Sequence, residues 1–85
     1  MDELDAIYAA DLPEIEKLAQ AFGWITRQFM QHGEQEVELA RAMNDREALV
    51  KEQIKLSVMK SVRGIFNDCY RRTTGRKAWD ERNDA

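Results

Sequence analysis

An 85-residue chain that is 44% hydrophobic and 34% charged has room for one domain and the composition of a folded, helix-rich protein, which excludes a disordered chain. No run approaches the ~20 apolar residues of a membrane span, and the acidic start Met1-Asp2-Glu3 is unlike a secretory signal; the single cysteine, Cys69, which can form no internal disulfide, favours a reducing cytoplasm. The net charge of −3 divides unevenly: residues 1–45 carry ten acids and three bases, residues 46–77 three acids and nine bases, and residues 78–85 three acids and one base.

That division implies acidic and basic helices lying side by side, in one chain or across a dimer, or a face built for an acidic partner. The apolar pattern is helical throughout and nowhere alternates as a strand does. Residues 3–10 predict a short helix with Leu4, Ile7 and Tyr8 on one side. Asp11 then reads as an N-cap, with Pro13 in the first turn and Glu14 completing a capping box.

The next helix is predicted over 12–31. Ile15, Leu18, Phe22, Ile25 and Phe29 recur at intervals of three and four, an apolar seam along one face, and Gly33 is the expected stop. From Glu34 to Thr74 the stripe continues through Leu39, Met43, Val50, Ile54, Val58, Val62, Ile65 and Cys69. A helix over 12–31 is about 30 Å long and an unbroken one over 34–73 about 60 Å, so the first cannot cover the second. A break near Asn44-Asp45, where Asn44 and Glu47 resemble a capping box, gives three or four helices; otherwise another chain covers the excess. Thr73 and Thr74 weaken the last helix and Gly75 ends it. Residues 1–75 are therefore one helical domain and 76–85 a short polar tail. The fold expected is an all-α bundle or helical hairpin, dimeric because so small a chain leaves apolar surface uncovered.

Six residues are candidates for contact with a protein partner. Trp24 points away from the 12–31 seam, among Lys17, Gln20, Gln28 and Gln31, against either the N-terminal segment or a partner. Trp79 stands in an otherwise polar tail, which it would anchor either on the body of the fold or on a partner; both indoles are suited to an interface. Lys60, Arg63, Arg71 and Arg72 belong to a basic outer side of helix 46–73, where Arg71 and Arg72 also suit the dipole of a last helical turn. On the same side Ser57, Ser61 and Gly64 would let another helix approach. The alternative reading is nucleic-acid binding through helix 46–73 and the segment Arg71–Lys77, although no aromatic residue is interleaved there to stack on bases.

No catalytic, cofactor-binding or metal-ligating set is expected. Cys69 has no second cysteine and reads as a small core residue; His32 reads as a helix C-terminal residue beside Gly33. The stretches PEIEKL at 13–18 and NDRE at 44–47 resemble parts of the helical chorismate mutases, but Ala19 stands where that family's first catalytic arginine would be. The stretch EQEVELARAM at 34–43 is similar to the first motif of all-α nucleotide pyrophosphohydrolases. The second motif is missing, because Glu52 is followed by Gln53-Ile54-Lys55 and lysine cannot hold magnesium. The function expected is a non-catalytic protein–protein interaction module, a small adaptor, regulator or inhibitor of a larger machine.

Overall fold

A computed structural model describes residues 3–79. Over these residues the chain is all-α, with α1 at Glu3–Ala9, α2 at Glu14–Ala42 and α3 at Arg46–Thr74. Helices α2 and α3 are each 29 residues, about 43 Å, and pack as an antiparallel hairpin. The mismatch in length that the sequence implied disappears because α2 does not stop at Gly33.

Gly33 is buried in the middle of α2, and a Cβ there would meet the side chain of Leu56 at 2.8 Å. Its role is close approach of the two helices, not termination. The break falls at Asn44-Asp45 as expected, by a different device from the expected box. Asn44 takes the left-handed conformation at φ 59, and its N–H donates to Arg41 O while Asp45 N–H donates to Ala40 O. This double closure satisfies the last carbonyls of α2. Asp45, not Asn44, then caps α3, its carboxylate accepting from Ala48 N–H at 3.1 Å. At the start of α2, Asp11 is not the cap either. Pro13 precedes the helix, and its carbonyl accepts from Glu16 and Lys17 N–H, with no side-chain cap.

The core contradicts the predicted seam. The side of α2 turned to α3 carries Ala19, Gly23, Thr26, Gly33, Val37 and Ala40, all buried, with Met30 half-buried between them. These seven recur at intervals of four and three. The facing stripe of α3 is Leu49, Glu52, Leu56, Met59, Arg63, Phe66 and Tyr70, spaced by three and four, with Arg63 and Tyr70 fully buried. Small residues on one helix thus receive large ones from the other, which is knobs-into-holes geometry with unequal partners. Two contacts fix the register: Gly33 lies against Leu56 and Thr26 bonds Arg63, and each pair of residue numbers sums to 89.

The bulky residues of the expected seam stand one position earlier along α2; Ile15, Leu18 and Phe29 are turned out of this interface, whereas Phe22 stacks on Phe66 of α3 at 4.4 Å. Leu18 is 54% exposed and Phe29 61%. Ile15 is also exposed, while Phe22 and Ile25 are half-buried. Cys69, expected in the core, is exposed. Helix α1 packs on α2, where Lys17 Nζ donates to Tyr8 O at 3.0 Å and Ala21 is buried on the side away from α3.

Candidate interaction surface

Past α3 the chain turns back on itself. Gly75 adopts φ 79, its N–H donates to Arg71 O at 2.7 Å, and the helix ends there as predicted. Arg76 N–H donates to Thr74 Oγ1 and the Arg76 guanidinium reaches Glu16, which also accepts from the Tyr70 hydroxyl. Ala78 N–H donates to Asn67 Oδ1 at 2.8 Å. Residues 76–79, the beginning of the expected tail, are therefore fixed to the hairpin; 80–85 lie outside the described residues.

Trp79 completes this strap. Its indole N–H donates to Ala19 O at 2.8 Å, and the ring lies against Gly23, where a Cβ would collide with it. It joins a stack in which Phe22 and Phe66 are 4.4 Å apart and Trp79 is 5.4 Å from Phe66. The Arg63 guanidinium sits 4.4 Å from the indole centroid. Arg63, only 4% exposed, also donates to Gly23 O at 2.8 Å and to the Thr26 hydroxyl, which itself donates a hydrogen bond to Phe22 O. The expectation that Trp79 and Arg63 face outward is thus corrected: both close the groove between α2 and α3. The signal in the sequence was the pair Ala19 and Gly23, too small to fill a helix interface alone.

The other four candidates remain at the surface, scattered. Trp24 is half-buried beside Ile25, Gln28, Phe29 and His32. Lys60 is exposed. Arg71 and Arg72 are exposed in the last turn, both paired with Asp68, at 3.4 and 3.1 Å. His32 lies within α2, not at its end, 3.7 Å from Glu36. Among the described residues nothing lies within 4 Å of a Cβ built at Gly64, and Ser57 and Ser61 of the same row are exposed.

One feature does form a continuous surface. In an antiparallel pair, the positions one residue before each inward residue lie on the same side of the hairpin. On α2 these are Leu18, Phe22, Ile25, Phe29 and, towards the loop, His32 and Glu36. On α3 they are Cys69, Ile65, Val62, Val58 and, towards the loop, Lys55 and Lys51. Val58 and Ile65 are 55% and 65% exposed. Two apolar depressions open along the seam, one beside Phe29, Leu56 and Val58, the other beside Ile15, Leu18 and Cys69. Among the described residues, Leu18, Phe29, Val58, Val62 and Ile65 stay exposed on this side, while Phe22 is half-buried in the stack with Phe66 and Trp79. The sequence carried a sign of this face: α3 bears two apolar stripes, Leu49–Tyr70 and Val50–Cys69, and a hairpin buries one per helix.

Among the described residues no group of three His, Cys, Asp or Glu side chains is placed to hold a metal, and no helix is long and apolar enough to cross a membrane. No family model, curated protein or solved structure matches the chain.

Proposed function

We propose that the chain is a non-catalytic protein–protein interaction module of the cytoplasm, a small adaptor, regulator or inhibitor of a larger assembly, docking through the apolar side of its hairpin. One observation supports this reading above all: Leu18, Phe29, Val58 and Ile65 are each more than half exposed on one side of two packed helices. Contiguous apolar patches beyond a few hundred Å² are rare on monomers and mark interaction sites. Lys60 and Arg71 stand outside that face and Arg72 at its end beyond Cys69, and these cations steer an acidic surface towards it. Trp24 borders it.

The test is affinity capture from a nuclease-treated lysate with the wild-type chain and with Phe29→Glu. Retention of a stoichiometric protein by the wild type and its loss with the variant supports the reading. Identical captured sets from both proteins, with helicity unchanged, would remove it.

A further inference from the structure

Resting on that interaction reading, we infer that the occupant of the apolar face is a second copy of this chain, seated with both loops at the same end, so that α2 of each copy lies along α3 of the other. Register and charge each point there, and the exposed area permits it.

The accessible surface is 6624 Å², whereas a compact monomer of 9.9 kDa exposes about 5,200 Å². The Cα radius of gyration is 15.2 Å against about 12 Å for a globular chain of this length. The excess of about 1,400 Å² belongs to the elongated hairpin as a whole, and the roughly 800 Å² that each partner contributes to a stable interface would be only part of it.

A two-fold axis parallel to the helices keeps every residue at its own level, so the pairing rule of the hairpin carries over to the partner. Level 29 of α2 corresponds to 60 of α3, since the pair sums to 89. Phe29 then falls between the partner's Val58 and the partner's Val62. By the same arithmetic Ile25 falls between the partner's Val62 and the partner's Ile65, and Phe22 between the partner's Ile65 and the partner's Cys69. Each α2 side chain meets a gap between two α3 side chains.

The rule continues past the apolar stretch. Glu36 falls between the partner's Lys51 and the partner's Lys55, and symmetry supplies the reciprocal pair. Charge over whole helices agrees: Glu14–Ala42 holds five acids and three bases, Arg46–Thr74 three acids and seven bases. Loops at the same end set α2 against α3 and join opposite charges. Loops at opposite ends set α2 on α2 and α3 on α3, which opposes like charges.

The experiment uses the full chain with Cys69→Ser, leaving no native thiol. Phe29→Cys and Val58→Cys are made singly in that background, oxidised alone and as an equal mixture, and read on a non-reducing gel. Sedimentation equilibrium gives the mass of the unmodified protein, and circular dichroism confirms that each variant is helical. The expected result is twice the chain mass at about 100 μM, well above a micromolar dissociation constant. A disulfide-linked dimer should appear in the mixture and in neither variant alone, because positions 29 lie diagonally apart, as do positions 58. If Val58→Cys does not fold, Val62→Cys replaces it. A single-chain mass at that concentration overturns the second copy as occupant; capture lost on Phe29→Glu would still uphold the wider reading. A dimer in which either variant links to itself, or in which the mixture does not link, overturns the same-end arrangement.

Discussion

The Trp79 indole fills the space that a side chain at Gly23 would need, and its N–H bonds the Ala19 carbonyl one turn earlier. A residue 56 positions along the chain from Gly23 therefore completes the packing of α2. Gly23→Ala should displace the ring and cost about 1–3 kcal/mol, as overpacking does. Trp79→Ala should cost about 2–3 kcal/mol for the lost burial and stacking. Chemical denaturation of the two variants and the double mutant checks this: the cost of Gly23→Ala should largely vanish once Trp79 is gone. Full additivity would show that the two do not share the site.

Arg63 ties the strap to both helices. Replacing it with methionine keeps the packing stem but leaves Gly23 O without its guanidinium donor and removes the cation from the indole face. The expected loss is about 2–4 kcal/mol, from hydrogen bonds to a charged group plus the ring contact. Lysine should restore little, because one ammonium cannot reproduce the planar fork. Thermal unfolding measures both; a variant within 0.5 kcal/mol of wild type, roughly the noise of surface substitutions, would contradict the assignment.

The interhelical turn should respond in opposite ways at its two residues. Asp45→Ala removes the α3 cap and should cost about 1 kcal/mol. Asn44→Gly retains the left-handed geometry more easily and should be neutral or slightly stabilising, while Asn44→Val should cost about 1–2 kcal/mol. Midpoints of urea unfolding give the order.

Arg71 and Arg72 both pair with Asp68 and flank one helix end without a stacking platform. Mobility-shift measurements should therefore show no DNA or RNA complex at about 150 mM salt, where phosphate contacts are already weakened. A salt-sensitive complex abolished by Arg71→Ala with Arg72→Ala would favour the nucleic-acid alternative.

The helical class, the break at Asn44-Asp45 and the Gly75 terminus were legible because each depends on local chemistry: apolar period, left-handed residues and caps. The choice of interface was not. Phe22, Phe29 and Leu18 outweigh Ala19, Gly23 and Gly33 on any scale of hydrophobicity, so the period pointed to the heavier stripe. The hairpin instead buries the lighter one, because glycine and alanine let α3 bring in Leu56, Met59 and Phe66. Trp79 and Arg63 were read as surface groups for a related reason. Their partners lie 60 and 40 positions away, and nothing local in the tail announces them.

The unequal division of bulk between α2 and α3 gives the interior a direction of tolerance. Enlargement at Gly33 presses on Leu56 of α3 and at Gly23 on the Trp79 ring, and Ala19 and Ala40 are buried beside them, so those sites act as a ceiling on side-chain size. Along Leu56, Phe66 and Tyr70 any trimming opens a void, so those act as a floor. Compensated repacking must then proceed in matched pairs, growth on one helix against shrinkage at the position whose number completes the same sum.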